Sequence, residues 1–260
     1  MKRFSAIFFI LGATMLFMGG CKKNSYFLRE STYPEGKALV KVGLFTAYNV
    51  NQPIRVAING SIISNELLYP IPFPGGGLNT NGSLNSDYLM VAPGSAKVEL
   101  FVMNQGTPVP VGKLSEANLT MEANKRYTLF LADTAQNIAA WVVPDDTQQP
   151  DSGFFRIKFV NAMPNVQSMD LYRGPNATTN NTLVVSGVEY KGKASDYVNI
   201  PTSNATDSFF IRKNGDPVTA TPIARRTFAV TNQRIYTLFS RGYNGATGNR
   251  APNLSAIVNQ

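Results

Sequence analysis

Past residue 38 the chain alternates between short runs rich in Val, Ile, Phe, Tyr and Thr and clusters of Gly, Pro and Asn. Such runs are strand signals, and the clusters between them are turn signals. No window has the three-and-four apolar spacing of a long amphipathic helix. The pattern predicts strands at 39–46, 54–59, 96–103 and 137–143, and again at 154–161, 168–173, 206–212 and 252–258. Two further strands are centred on Tyr127-Thr128-Leu129-Phe130 and Tyr236-Thr237-Leu238-Phe239. Alternation places Tyr127, Leu129 and Leu131 on one face, with Arg126, Thr128 and Phe130 on the other; Tyr236 and Leu238 take the equivalent core face. Aromatic side chains there fill the space between two sheets.

The same landmarks occur twice. Ser86-Asp87-Tyr88 returns as Ser195-Asp196-Tyr197, and the Tyr-Thr-Leu-Phe strand returns with it, both displaced by 109 residues (195 − 86 and 236 − 127). Val40–Ala47 aligns on Phe155–Ala162 through the shared alanine, a displacement of 115 (162 − 47). The difference implies about six extra residues in the first copy, placed at Pro70–Gly77. Repeats of this kind predict homologous units, here domains at 39–144 and 153–260. The polar, proline-bounded stretch Pro144–Asp151 reads as the linker between them. Its three aspartates match no calcium-loop spacing. Six strands per copy, with a seventh in the variable region, predict an all-β chain of two tandem immunoglobulin-like β-sandwich domains.

Ahead of these domains the pattern is different. Met1, Lys2 and Arg3 are followed by an uncharged stretch from Phe4 to Phe17 and then by Gly19, Gly20 and Cys21, the order of a cleavable secretory signal over residues 1–20. Met18-Gly19-Gly20-Cys21 resembles the bacterial lipobox, in which the cysteine is acylated and becomes the mature N-terminus. Residues 21–38 then form a lipidated cysteine and a polar tether. A flexible coil of that length spans on the order of 20–25 Å. The predicted location is lipid-anchored in the outer membrane. Lys22 and Lys23, in place of an acidic run after the cysteine, leave both the periplasmic and the cell-surface face open.

Charge and composition narrow the chemistry. The formal charge is +8, falling to +6 once Lys2 and Arg3 leave with the signal. The basic residues are mostly scattered singly, so no nucleic-acid footprint is predicted. There is no histidine, and Cys21 is the only cysteine. This excludes Ser-His-Asp and Cys-His catalysis, most zinc sites and any disulfide within the chain. No cofactor is predicted.

The run Phe159-Val160-Asn161-Ala162-Met163-Pro164-Asn165, then Met169-Asp170-Leu171-Tyr172, Ser195-Asp196-Tyr197 and Tyr236-Thr237-Leu238-Phe239, resembles the domain of unknown function 4397 family. The second copy carries the signature more fully. The first departs from it at Tyr48-Asn49-Val50-Asn51, where the family has a Pro-containing turn, and at Arg55, where its Asp falls. The resemblance implies a β-sandwich and an exported location, and it brings no activity with it.

Candidate site residues follow from chemistry. Ser-Asp-Tyr reads as a turn in which Ser and Asp bond nearby backbone amides before the strand begins. Asp87, Asp170, Asp196 and Glu189 are the carboxylates a hydrolytic pair would draw on, but they are dispersed along the chain. Loop aromatics suit sugar stacking: Tyr69, Phe73, Tyr190 and Tyr243, with Phe73, Tyr190 and Tyr243 the chosen ligand-binding residues. The 70–77 and 241–250 loops are the corresponding recognition segments. Sequons at Asn118 and Asn204, and the Asp133-Thr134-Ala135 triplet that resembles a bacterial O-glycosylation motif, carry no weight here. The predicted function is a non-catalytic cell-envelope lipoprotein that binds or scaffolds a glycan or envelope protein. The alternative is a glycan-binding or glycan-processing accessory protein with a carboxylate-based site. Replacing Cys21 with Ala is expected to abolish palmitate labelling and membrane retention; retention of the variant would overturn the anchor.

Overall fold

The computed structural model describes residues 33–46, 53–78, 80, 84–104, 106–133, 138–203 and 205–260. The signal, Cys21, most of the tether, Tyr48–Asn51, Thr134, Ala135 and Asn204 lie outside the described residues. Pro34–Gln260 form one compact unit.

The chain runs through β1 (Ala38–Leu44), β2 (Ile54–Ile58), β3 (Ser61–Ile62), β4 (Pro72–Phe73), β5 (Gly77–Leu78), β6 (Leu89–Val91), β7 (Gly94–Met103), β8 (Pro110–Met121), β9 (Arg126–Ala132) and β10 (Ala139–Asp145). It continues through β11 (Phe154–Asn161), β12 (Ser168–Arg173), β13 (Thr182–Glu189), β14 (Val198–Pro201), β15 (Thr206–Lys213), β16 (Ala224–Ala229), β17 (Ile235–Arg241) and β18 (Asn253–Val258). The fold is all-β and sandwich-like. One sheet has the order β10-β9-β1, with β4 and β6 sharing the far edge of β1, and it faces a sheet of order β3-β2-β7-β8. The second half repeats the plan: β18-β17-β11-β14 faces β13-β12-β15-β16. Each pair encloses its own core. Val40, Val42, Val56, Leu100, Leu129 and Leu131 lie in the first, and Phe155, Phe159, Leu171, Phe209, Ile211 and Leu238 in the second.

Most strands lie where hydrophobic patterning puts them. The pattern misses β8 and β16, whose residues are mostly exposed. Both are edge strands with little apolar surface to bury, so neither leaves the signature of a half-buried strand.

The predicted outward faces are not outward. Thr128, Phe130 and Ala132 alternate with the core residues of β9, yet all three are buried. They meet the equivalent face of the other half in a third apolar cluster of Phe45, Phe130, Ala132 and Val143 with Val160, Ala162, Phe239 and Ile257. The ring centroids of Phe45 and Phe239 are 4.1 Å apart. The result is four stacked sheets, with the two middle ones buried on both faces.

The sheet register also corrects the alignment of the opening strands. Lys41 stands opposite Thr128, and Lys158 stands opposite Thr237. Because Thr128 and Thr237 occupy the same place in the repeated motif, Lys41 corresponds to Lys158, a displacement of 117 (158 − 41) rather than 115. The first copy therefore holds eight extra residues (117 − 109), which is the length of Pro70–Gly77.

That segment is no exposed loop. Its start pairs with β1 as β4, and its end crosses to the other half, where β5 pairs with β18 as the edge strand of that sheet. The N–H of Val258 donates to the Gly76 carbonyl at 2.6 Å. The corresponding residue of β10 is Pro144, since Pro144 faces Tyr127 as Val258 faces Tyr236. Proline has no N–H to offer an added strand, so only one of the two equivalent edges can be extended there.

Gly76 has φ +90°, and a Cβ at that position would lie 2.4 Å from Lys41 Nζ and 2.8 Å from the Val258 carbonyl oxygen. Gly36 also has positive φ (+78°) but nothing within 4 Å. Gly76→Ala should therefore lower unfolding free energy by about 2–3 kcal/mol and Gly36→Ala by about 1 kcal/mol. Urea denaturation checks this; equal losses would refute the crowding argument.

Candidate functional site

The repeated motifs converge on the contact between the two middle sheets. Lys41 Nζ of the first copy donates to the Val258 carbonyl of the second at 2.8 Å. Lys158 Nζ of the second copy donates to the Pro144 carbonyl of the first and lies 3.1 Å from Asp145 Oδ1. Each ammonium also caps a motif tyrosine, Lys41 over Tyr88 at 4.4 Å and Lys158 over Tyr197 at 4.9 Å. Thr128 Oγ1 donates to Asp145 Oδ2 at 2.7 Å, and Thr237 Oγ1 donates to Asn259 Oδ1 at 2.8 Å. The two halves thus exchange equivalent contacts in both directions.

This arrangement overturns the linker reading for the start of 144–151. Pro144 and Asp145 end β10, and the Asp145 side chain has no exposed surface. It also alters the reading of Ser-Asp-Tyr. Ser195 Oγ accepts from the Phe159 N–H at 2.8 Å, and Ser86 Oγ donates to the Asn259 carbonyl across the seam. Both serines thus bond far along the chain, Ser195 Oγ donating in addition to the neighbouring Asp196 carbonyl at 2.9 Å, and each tyrosine sits one residue before its strand. Asp196 is exposed beside Lys193.

Burial governs the titration of this seam. It pushes Lys41 down from 10.5 to about 8 against the opposing pull of Asp145 and Asp87, and it lowers Lys158 as well. It holds the hydroxyls of Tyr88 and Tyr197 well above the usual tyrosine range, with the Asp145 charge adding to the effect.

The predicted ligand aromatics are held in separate neighbourhoods. Phe73 lies on β4 and packs against the first core. Tyr190 is half-buried; its hydroxyl donates to Asp133 Oδ2 at 2.8 Å and its ring meets Trp141 edge-on at 6.3 Å. Tyr69 accepts from Arg241 Nη1 at 2.8 Å. Tyr243 is 37 % exposed, on a turn locked by reciprocal hydrogen bonds between Asn165 and Asn244.

Of the four carboxylates, Asp170 is buried and fully engaged. Oδ1 accepts from Ser186 Oγ, the Gly187 N–H and Asn214 Nδ2, and Oδ2 from the Gly215 N–H. Burial pushes its carboxyl up, but these four donors outweigh that and hold it below the usual range. Asp87 and Glu189 are exposed. Among the described residues, no group of three or more His, Cys, Asp or Glu could hold a metal ion.

A concave surface that the sequence did not reveal lies at the open side of the second sandwich, between the edges β13 and β14. The cleft holds about 920 Å³ and its lining includes Arg173, Asn180, Leu183, Val198, Ser203 and Asp207. Arg173 Nε donates to Asp207 Oδ2 at 2.7 Å. No periodic pattern marks these residues, because they come from four separate stretches that meet only when the two sheets stack.

Comparison with known sequences identifies part of the chain. Residues 80–172 match the model of a domain of unknown function, DUF4397. Over this stretch the chain is similar to the DUF4397 family. The match spans Ser86-Asp87-Tyr88, the first Tyr-Thr-Leu-Phe strand and the opening β11–β12 strands of the second copy. The DUF4397 match ends at Tyr172, so the lining residues of the cleft, Arg173 to Ser208, lie beyond it. No curated protein matches the chain. Among solved structures, family 41 carbohydrate-binding modules from streptococcal virulence factors share 12% identity over 84% of this chain and 96% of theirs, with a TM-score of 0.25. A candidate cell adhesion protein from Bacteroides ovatus shares 10% identity over 88% of this chain and 97% of its own, with a TM-score of 0.20.

The seam predicts an unusual pH profile. The lowered lysines bind protons more weakly folded than unfolded, so the Lys41 contribution grows as pH rises from about 8 toward 10.5, and that of Lys158 changes in the same direction below 10.5. The raised tyrosines keep their protons when folded, so their contribution is lost above about 10. Unfolding free energy should therefore rise between pH 8 and about 10 and fall beyond it. A steady fall from pH 8 in urea titrations would contradict the buried seam.

Proposed function

We propose that this protein is a lipid-anchored, non-catalytic protein of the cell envelope that binds or scaffolds an extracytoplasmic partner. In this reading 39–144 and 153–260 are homologous units, Cys21 carries the acyl chains, and the protein resides at the outer membrane. The 920 Å³ cleft of the second sandwich is the observation that supports the binding role. A large concavity that combines apolar surface with convergent polar groups is a default candidate for the recognition site of a folded protein. Here the walls are supplied by Leu183, Val184, Val198 and Ile200, and the polar groups by side chains such as Arg173, Asp207 and Ser208. The repeated motif residues Ser86, Tyr88, Thr128 and Tyr197 do not compete for this role, because they are engaged at the contact between the two halves. Asp170 is ill suited to the acid role of a carboxylate pair, since its four donors favour the ionised form.

Leu183 is 47 % exposed, so Leu183→Asp should leave the thermal midpoint unchanged while altering the cleft wall. The full-length lipidated protein, held in detergent micelles, is screened by biolayer interferometry against glycans and envelope proteins. Leu183→Asp should weaken the best hit by about tenfold or more. Undiminished binding would remove the cleft from consideration.

A further inference from the structure

We infer that the cleft of the second sandwich takes a neutral, hydroxyl-rich chain, that is, an uncharged oligosaccharide, and neither a charged ligand nor an added peptide strand. This rests on the cleft being the binding site, as proposed above.

Charge is the first consideration. The two ionisable residues in the cleft wall neutralise each other. Arg173 Nε and Nη2 both reach Asp207 Oδ2 at 2.7 Å, and Nη2 also donates to the Pro201 carbonyl at 3.3 Å. The other carboxylate oxygen of Asp207 accepts from the Ser208 N–H at 3.0 Å. An ionic ligand would have to break this pair and leave one member uncompensated, a costly exchange in a partly buried site.

The sheet edges are the second. Peptides commonly add to an exposed edge through a ladder of backbone hydrogen bonds. The Arg156 N–H turns to the Arg234 carbonyl, so Phe155 and Ile157 face β14, where their partners are Ile200 and Val198. This leaves Asn199 and Pro201 facing the open side. Pro201 has no N–H, and its carbonyl already accepts from Arg173. On the opposite edge, the pairing of β13 with β12 slips between Met169, Leu171 and Tyr172. Neither edge offers a continuous ladder, and such blunting is how sheets resist strand addition.

The remaining groups suit a sugar. Asn180, Thr182, Ser203 and Thr206 line the cleft, and among the described residues their side chains make no hydrogen bond within the protein. Hydroxyl and amide groups both donate and accept, which matches the mixed demand of sugar hydroxyls. Leu183 and Val198 present aliphatic surface to the C–H faces of a ring. The wall carrying Asn180 is set in advance. Asn181 Nδ2 lies within hydrogen-bonding distance of the carbonyls of Asn176, Ala177 and Thr179, at 3.1, 3.0 and 3.0 Å, which share its two N–H groups. The fully buried Arg212 donates from below to the Ala177 carbonyl. A preformed wall reduces the ordering cost of binding. Among the described residues no aromatic ring lines the cleft, so affinity should be modest, with Kd about 0.1–1 mM.

The test is isothermal titration of the full-length protein in micelles with neutral gluco-, manno-, galacto- and xylo-oligosaccharides. Oligouronates, amino-sugar oligomers and extended peptides serve as comparisons. Two variants accompany it: Leu183→Asp, and the double change Ser203→Ala with Thr206→Val. Binding of a neutral oligosaccharide, weakened about tenfold by either variant, is expected. Neutral oligosaccharide binding that both variants leave intact would overturn the cleft as its site. A charged oligomer or peptide whose binding Leu183→Asp abolishes would uphold the cleft and overturn the ligand class. No binding of any neutral oligosaccharide at millimolar concentration would also overturn the class.

Discussion

Each half of this protein gives a lysine ammonium to a carbonyl of the other, and most of the architecture is arranged around that exchange. Lys41 and Lys158 stand at equivalent points of β1 and β11, on the faces turned away from their own cores. Removing two ammonium groups from water is expensive, and paired burial recovers only part of that cost. The free energy of the contact therefore comes from the apolar cluster beside it, where Phe45, Phe130 and Phe239 interlock. The polar groups add selectivity. A slip of one residue would turn each lysine from the seam into an apolar core.

The seam also accounts for the eight-residue insertion of the first copy. Gly76 lies where Lys41 Nζ and the Val258 carbonyl leave no space for a side chain. The chain can then pass the lysine and join the second half as β5. One edge of the middle layers is closed in this way, while its counterpart ends at Pro144 and cannot accept the same bond. Two copies of one plan have thus become different at a single edge, and the compact unit cannot be divided between them without breaking a sheet.

Inward stacking leaves the outer sheets and open sandwich edges for recognition. The cleft lies on the second sandwich and is lined by residues outside the repeated motif, and its wall is held by Arg212 and Asn181, whose hydrogen bonds go to loop carbonyls. The two roles fall on different residues: the repeated motif docks the halves, and unrepeated loop residues shape the concave surface.

Strand positions, the core face of β9 and β17 and the existence of a repeat follow from the sequence alone, because burial on one face of a strand imposes a two-residue period that any fold must respect. The Ser-Asp-Tyr and Tyr-Thr-Leu-Phe motifs are equally legible, as identical letters at one spacing. Their meaning was not, since Thr128 and Phe130 look like an ordinary outer face until a second sheet covers them. Matching letters aligned Ala47 with Ala162 and hid the correspondence of Lys41 with Lys158, which appears only when strand partners are compared. Phe73 and the 70–77 segment looked like an exposed loop because Pro and Gly usually mark turns, whereas here they form two short strands in different sheets. The cleft had no sequence signature at all. Its residues are local in type but distant in order, and only the stacking of the sheets, a long-range consequence of burying apolar surface, brings them to one place.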